Sequence, residues 1–458
     1  MTRRALVYGI AIAGEALATA LQRRGYEVVL ADDMIAGTAG AAAANDDKRR
    51  AAASLGTTLI ERPEGDALRG LIESVDIVCP APGVPETHPV IIAAVRAGRP
   101  IRTEIDLAYE WEQQRMGGPR PMLAITGTDG KTTTTLLTAE MLAAAGHRPA
   151  AVGNTEVPLV AMLDSDVDVF AVECSSFRLN WLDHFRAEAS VWLNLSPDHQ
   201  NWHTSLDAYA AAKARMWQHL RPTDVAIGFA PDPVVMGYLS ALPGPTRTFG
   251  ATGSDYRLEG DRLVGPQGVI ATTADMRRAL PHDITNALAA AALVLESGLA
   301  DTAAVRTALQ AFAHPPHRIE PLGELHGVPW YNDSKATSPH AALTAIRSFA
   351  SIVLLAGGRN KGLDLASLAT EHARIRAVVA LGESAPELVE AFAAHCPVDV
   401  AATMHEAVAQ AAGRAEPGDT VLLSPACASF DWYPGGGYPA RGDDFKAEFA
   451  LLARRDAP

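Results

Sequence analysis

Cysteine is scarce in this chain of 458 residues, with four in all, at Cys79, Cys174, Cys396 and Cys427. They are dispersed and form no Cys-x-x-Cys pair, which argues against a disulfide scaffold or a thiolate metal site and fits a reducing, cytoplasmic compartment. No apolar run reaches the roughly 18 residues that a membrane-spanning helix needs. Arg3-Arg4 followed by Ala5 to Gly14 imitates the start of a signal peptide, but Glu15 cuts the apolar stretch short and a strand–turn–helix accounts for the same residues. Basic residues are outnumbered: 39 Lys and Arg against 53 Asp and Glu leave a net charge of −14. The densest basic run is Lys48-Arg49-Arg50, so neither a nucleic-acid surface nor an anionic-lipid surface is expected. With 37 glycines and 30 prolines the chain is neither collagenous nor of low complexity. Its 48% hydrophobic and 20% charged residues are those of a folded protein with a core.

At about 150 residues per domain the length allows about three domains. Short β-like runs alternate with helical stretches, the pattern of an α/β protein with parallel sheets. Ala5–Gly9, Tyr26–Asp32 and Val75–Cys79 read as strands of a first segment, with a helix over 14–24. Arg115 to Pro121 disfavours both helix and strand and reads as a linker. A second segment opens with the strand Met122–Thr126; further strands are expected over 167–172 and 189–194, with helices over 206–220 and 284–297. His314-Pro-Pro-His317 marks a second boundary, and strands are expected after it over 351–355, 376–381 and 420–423. The expected domains are therefore 1–118, 119–317 and 318–458, and no solenoid repeat is present.

The most informative residues are Gly127-Thr128-Asp129-Gly130-Lys131-Thr132-Thr133, between a strand and a helix. Glycines let backbone N–H groups approach phosphate oxygens, Lys131 supplies positive charge to the outer phosphates, and a Thr hydroxyl at the helix start can bind Mg²⁺. The loop is a shortened variant of Gly-x-x-x-x-Gly-Lys, because Ile125 occupies the position of the first Gly. An ordinary glycine turn with a surface lysine would explain Gly130-Lys131, but not strand, loop, Lys-Thr-Thr and helix in that order. Glu173 ends the apolar run Val169–Val172 at the carboxyl end of a strand, where open α/β sheets place their metal acids. His199, in Asn194-Leu-Ser-Pro-Asp-His199, is a further candidate metal ligand, and Lys213 lies on the helix after it. Taken singly, such a histidine is more often a loop residue and such a lysine a solvated one.

Five blocks in order, Thr126–Thr133, Glu173-Cys-Ser-Ser-Phe177, Asn194–His199, His317-Arg318 and Asn332-Asp-Ser-Lys-Ala-Thr337, together resemble the Mur ligases. These are ATP-dependent amino-acid ligases of peptidoglycan precursor synthesis. The last block, with Leu422-Leu-Ser-Pro-Ala-Cys-Ala-Ser429, points within the family to the branch that adds D-glutamate to UDP-N-acetylmuramoyl-L-alanine. The resemblance covers nearly the whole chain and is weakest in the first segment. It implies three domains: a Rossmann-like UDP-substrate-binding domain, a central phosphate-loop ATPase-type parallel-sheet domain, and a Rossmann-like amino-acid-binding domain. It implies ATP, two Mg²⁺ ions, an acyl phosphate intermediate, a cytoplasmic setting and a monomer.

Residue roles follow from the same resemblance. Gly127 to Thr133 would bind ATP, with Lys131 and Thr132 on its phosphates; Thr132 and Glu173 would bind one Mg²⁺ and His199 would place the second. Lys213 matches a lysine that the family carries as a carbamate, an anion suited to a metal-side position. Asn286 would contact adenine, and Arg318 and Asp333 would reach ATP from the third domain on closure. Lys335, Thr337, Lys361, Ser429 and Tyr438 would bind glutamate, with Lys335 also counted as catalytic. Ile12, Ala13, Asp32, Asp33, Pro82, Gly83, Asn154 and Ser175 would bind the UDP-substrate. The chain departs from the family pattern in several places. Ala11 replaces the middle Gly of Gly-x-Gly-x-x-Gly, and Thr155 falls within an altered Gly-Asn-Ile-Gly motif. Arg178 stands where Gln is frequent, Asp283 where Asn is usual, and Asn201 and Trp202 where Asp and Arg are common. These departures touch substrate contacts and leave the ATP and metal groups in place. The competing readings are a sister ligase for L-glutamate or another amino acid, a phosphate-loop kinase or ATPase, and a non-catalytic nucleotide-binding regulator. The last is disfavoured by the joint retention of Lys131, Glu173, His199 and Lys213.

Overall fold

Runs of Val, Ile, Leu and Ala that are apolar at successive positions need cover on both faces, and in this protein they pair in parallel with helices on either side. The computed structural model describes residues 2–34, 41–199 and 202–455, so Asn201 lies outside the described residues. The chain divides into two units, one up to Phe312 and one from Ala313 onward.

The first unit holds a four-stranded parallel sheet in the order Leu59–Glu61, Glu27–Asp32, Arg4–Tyr8 and Ile77–Pro80. The helix Ile12–Arg23 packs Leu17, Ala18 and Leu21 into the core. Its entry is tight: a Cβ on Gly14 would lie 2.1 Å from the Gly9 carbonyl oxygen, and Gly9 itself has a φ of 96°. Glycine is required at both positions.

The same unit contains a six-stranded, fully parallel sheet. Its order is Thr246–Phe249, Val225–Phe229, Ala189–Trp192, Met122–Thr126, Val169–Glu173 and Pro149–Gly153. Met122–Thr126 is flanked by strands that follow it in sequence on either side, so a crevice opens at its carboxyl end. The helix Pro281–Glu296 packs on Lys131–Ala144, and its stretch Ala287 to Val294 is almost wholly buried. Four consecutive alanines, Ala289 to Ala292, allow that close approach. The expected helix over 206–220 is shorter, Leu206–Ala214, and tightens into the 3₁₀ turn Arg215–Trp217. An antiparallel sheet of Arg257–Glu259, Arg262–Gly265 and Gly268–Thr272 was not expected from the sequence. Its strands are short and its glycine turns carry no strong hydrophobic period.

The second unit is a six-stranded mixed sheet in the order Glu320–Leu325, Val328–Asn332, Thr420–Leu423, Ile352–Gly357, Ile375–Leu381 and Val398–Ala401. The first two strands form an antiparallel hairpin and the remaining pairs are parallel. The helix Gly437–Arg455 packs Phe445 and Phe449 against Trp330. All four cysteines are free. Among the described residues no helix is long and apolar enough to cross a membrane.

Candidate active site

The strand Met122–Thr126 ends in the loop Gly127 to Gly130, and the helix Lys131–Ala144 follows at once. Gly130 has a φ of 82°, and a Cβ there would lie 2.5 Å from Asn286 Oδ1, so the close approach of the loop to Asn286 demands glycine. Asn194 braces the loop: its Oδ1 accepts from the backbone N–H groups of Thr128 and Asp129 at 3.0 and 2.9 Å. The loop is therefore shaped before any ligand arrives. The helix begins with no acidic residue in its first turn, and its N-terminal N–H groups and dipole favour an anion. Thr132 and Thr133 lie in that turn, Thr132 half-buried and Thr133 buried.

Two lysines converge on this loop. Lys131 Nζ donates to the carbonyls of Gly127 and Thr128 at 2.9 and 2.7 Å. Lys213 Nζ donates to the same Gly127 carbonyl at 2.6 Å and lies 4.4 Å from the centre of the Tyr209 ring. The Lys213 residue is 1% exposed. Burial first, and then the neighbouring Lys131, hold its amine well below the usual lysine pKa. A depressed pKa favours the neutral amine, the form that adds to CO₂.

Glu173 ends its strand 1% exposed. Its Oε1 accepts from Asn154 Nδ2 at 3.0 Å, while its Oε2 is buried and has no hydrogen-bond partner among the described residues. A buried carboxylate oxygen without a donor is costly unless a cation faces it, so Glu173 fits a divalent metal. Among the described residues no three His, Cys, Asp or Glu side chains form a ready-made metal cage. Magnesium suits such a site, because it keeps waters and phosphate oxygens and takes few protein ligands.

His199 adopts a φ of 55° and is half-exposed, with its ring against Phe177 at 4.6 Å and its Nε2 3.4 Å from Asp198. Ser175 is buried and its hydroxyl has no partner among the described residues. The adjacent Ser176 hydroxyl meets His203 Nε2 at 2.9 Å, and His203 Nδ1 meets Glu86 at 3.1 Å. Burial, then Lys213 and His199, push the His203 imidazole down to about 4. Trp202, where Arg is common in the family, donates its indole N–H to the Pro82 carbonyl at 3.1 Å.

In the first sheet, Asp32 has three partners within the protein. It accepts from the N–H groups of Ile10 and Met34 and pairs with Lys48 at 2.5 Å. Asp33 accepts from the Tyr8 hydroxyl at 2.5 Å and lies 2.9 Å from His88 Nε2. Ile12 is exposed, Ala13 and Pro82 are half-buried and Gly83 is exposed. Ala13 and Pro82 line one cleft with Glu104, Phe177, Arg178 and Trp202. Asp283, at the Asn position of the family, pairs with Arg278 at 2.7 Å. Burial alone would raise its carboxyl, but hydrogen bonds from Arg278 and His282 outweigh it and hold the carboxyl well below the usual range.

In the second unit, Asp333 accepts from the Ile319 N–H at 3.2 Å and from the Ser424 hydroxyl at 2.8 Å. Arg318 is half-buried between His317 and Ile319, both of which have positive φ. Lys335 Nζ donates to the Tyr438 hydroxyl at 2.9 Å, and the exposed Lys361 approaches Thr337 Oγ1 at 3.4 Å. Ser429 is buried nearby in sequence to Cys427. Arg441, 2% exposed, ties these loops together. Its guanidinium donates to the Ser334 hydroxyl and carbonyl and to the carbonyls of Cys427 and Gly357. Burial lowers its pKa to about 10.

The structure thus brings Lys131, Lys213, Asn286 and the Gly127–Gly130 loop together, pairs Asn154 with Glu173, and groups Lys335 with Tyr438 and Lys361 with Thr337. Asn194, Glu104, His203 and Arg441 take part in these contacts without a role assigned from sequence. Asn194 stood in a recognised block and could have been found there; Glu104 and Arg441 are single charges in helices, with no local signal.

Residues 125–294 match the Mur ligase middle domain and residues 317–427 the Mur ligase, glutamate ligase domain. The chain is 40% identical over 465 residues to the UDP-N-acetylmuramoylalanine–D-glutamate ligase of Frankia casuarinae, covering 98% of this chain and 94% of the relative. It is 36% identical to the protein of that name from Streptomyces coelicolor, covering 96% of each. Its fold is similar to that of UDP-N-acetylmuramate-alanine ligase from Thermotoga maritima, with a TM-score of 0.59 at 17% identity over 99% of this chain and 100% of that one. Family match, full-length relatives and a lysine-lined phosphate loop coincide, and the chain belongs to the Mur ligase family.

Proposed function

We propose that this protein joins D-glutamate to UDP-N-acetylmuramoyl-L-alanine at the expense of ATP, in cytoplasmic peptidoglycan precursor synthesis. The observation that carries the reading is the pairing of a phosphate loop with the buried, half-open carboxylate of Glu173, in a chain 40% identical over 98% of its length to a D-glutamate ligase. A carboxylate is a poor electrophile because its leaving group would be oxide. One carboxylate oxygen of the substrate attacks the γ-phosphorus, ADP leaves and an acyl phosphate forms. The glutamate nitrogen then attacks the acyl carbon, and the tetrahedral intermediate expels phosphate and loses a proton to give the amide.

The chain's residues meet the demands of each stage. ATP and the substrate carboxylate repel each other, and Lys131 with the N–H groups of Gly127 to Thr133 offsets that charge. Thr132 and Glu173 would hold Mg²⁺, with His199 placing a second ion; the metal supplies further neutralisation of the phosphate oxygens. Lys213 as a carbamate would offer oxygens on the metal side, and its buried, readily neutralised amine is suited to that modification. Asn286 is the contact for adenine, and Arg318 and Asp333 are further ATP contacts. Lys335, Thr337, Lys361, Ser429 and Tyr438 receive glutamate, whose two carboxylates need cationic and hydroxyl donors. Ile12, Ala13, Asp32, Asp33, Pro82, Gly83, Asn154 and Ser175 receive the UDP-substrate. The three domains are 1–118 and 318–458, both Rossmann-like, and 119–317, of the phosphate-loop ATPase type, and the enzyme acts as a monomer.

Phosphate release with ATP, Mg²⁺ and UDP-N-acetylmuramoyl-L-alanine tests the reading, with D-glutamate, L-glutamate or no amino acid added. Release that depends on D-glutamate, with a product heavier by one glutamyl residue, is expected. Release with L-glutamate alone would move the chain to a sister activity. Release without the UDP-substrate or any amino acid would make it a plain ATPase.

A further inference from the structure

Glu173 has one oxygen held and one open, and the holding runs through a second residue. Asn154 Nδ2 donates to Glu173 Oε1 at 3.0 Å, and the Asn154 backbone N–H donates to the Glu173 carbonyl at 2.8 Å. On its other side Asn154 Oδ1 accepts from Arg178 Nη1 at 2.6 Å. Arg178 is 5% exposed, and its Nε lies 3.6 Å from Glu104 Oε2. Glu104 is also buried, and its other oxygen accepts from the Val160 N–H at 3.2 Å. Glu104, Arg178, Asn154 and Glu173 thus form a continuous polar chain.

The chemistry of the links fixes its direction. A guanidinium has donors and no acceptor. Whatever amide group faces Arg178 must therefore be the oxygen, and the amide N–H group is left to face Glu173. A glutamine at position 178, with one donor and one acceptor, would allow Asn154 to turn either way. Turned over, Asn154 would set its carbonyl oxygen against a carboxylate oxygen and repel it.

We propose that Arg178 is a positioning residue for the metal-binding carboxylate: through Asn154 it fixes Glu173 so that Oε1 is held and Oε2 stays open to the cation. Glu104 keeps the arginine buried in place. The inference rests on Glu173 being a metal ligand, and the test separates the two. Such outer partners of metal ligands typically contribute about 10–100-fold to metal affinity.

The probe is Mn²⁺, titrated into the full chain in the presence of ADP and followed by electron paramagnetic resonance. Glu173→Ala should abolish tight binding; if it binds Mn²⁺ as the wild type does, the ligand reading fails and this proposal with it. Arg178→Met should weaken binding about tenfold, and Arg178→Lys, which keeps a donor-only cation, should restore most of it. In an Asn154→Ala background Arg178→Met should change affinity by less than about twofold, because the link is already cut. Because Arg178→Met alone strands a buried Glu104, the Glu104→Gln, Arg178→Met pair is measured beside it and should show the same tenfold loss. Wild-type Mn²⁺ affinity in that folded pair, with Glu173→Ala inactive in binding, would overturn the relay alone. So would an equal loss in the Asn154→Ala background, or a change confined to KM for the UDP-substrate, which would make Arg178 a substrate contact.

Discussion

The loop Gly127–Gly130 of the first unit and the loops of the second both carry lysines, yet they secure them differently. Lys131 and Lys213 converge on one backbone carbonyl in a loop shaped by glycines and by Asn194, and Lys213 is almost wholly buried. Lys335 is half-buried, Lys361 is exposed, and their loops are fastened from behind by one buried arginine, Arg441. The first arrangement alters the chemistry of a lysine. The second leaves its lysines nearer to solvent, on loops that different strands supply.

The comparison breaks most plainly at Lys131. Lys131→Ala should lower kcat by about 10³-fold, the scale of losing a preformed charge at a developing anion, as read by phosphate release. A loss confined to KM for ATP would reduce Lys131 to a binding residue. Lys213→Ala should cost about 10²-fold or more in kcat. It should also remove a ¹³C carbamate resonance that the wild type shows after incubation with ¹³C-bicarbonate; a wild type without that resonance would contradict the carbamate.

Lys213 also makes a pH prediction. Its folded-state pKa lies below the unfolded value, so over the interval between them the unfolded chain binds the extra proton. Its contribution to stability is therefore least favourable at low pH, improves as pH rises through that interval, and levels off above about 10.4. In CO₂-free buffer, urea midpoints measured from neutral to alkaline pH should climb more steeply for the wild type than for Lys213→Met. Parallel curves would show that Lys213 is not desolvated as the structure has it.

In the second unit, Arg441→Met should destabilise the fold by about 2–3 kcal/mol, since it leaves the carbonyls of Cys427, Gly357 and Ser334 without their donor. Calorimetry should show the loss. Lys361→Ala should be the mildest change: KM for glutamate up about tenfold, with KM for ATP and the melting temperature unchanged. If Lys361→Ala instead lowered kcat as strongly as Lys213→Ala, the division between chemical and recognition lysines would collapse.

Legibility in the sequence followed locality. The strand–loop–helix around Gly127 to Lys131 is contiguous, so its glycines, lysine and threonines were readable as a phosphate site, and the strand ending at Glu173 could be placed by its apolar run. The short antiparallel strands over 257–272 carried no comparable period. The surroundings of Asp32 were not legible: its carboxylate accepts from the N–H groups of Ile10 and Met34 and pairs with Lys48, partners that come from the turn after Tyr8, from Met34 and from the helix Ala41–Ser54. Arg178 was visible as a departure from a family pattern; its link to Glu104, 74 positions away in sequence, was not.

Neighbouring residues alone set the α/β alternation, the phosphate loop and the Mur ligase resemblance, because apolar runs, helical patterning, glycine spacing and motif order are local properties. Packing between distant segments buries Lys213 beside Lys131, holds one Glu173 oxygen while leaving the other open, and lets Arg441 fasten three loops at once. Burial and hydrogen-bond partnership depend on residues brought together from distant strands, and it is these that change a lysine's proton affinity or leave a carboxylate oxygen ready for a cation.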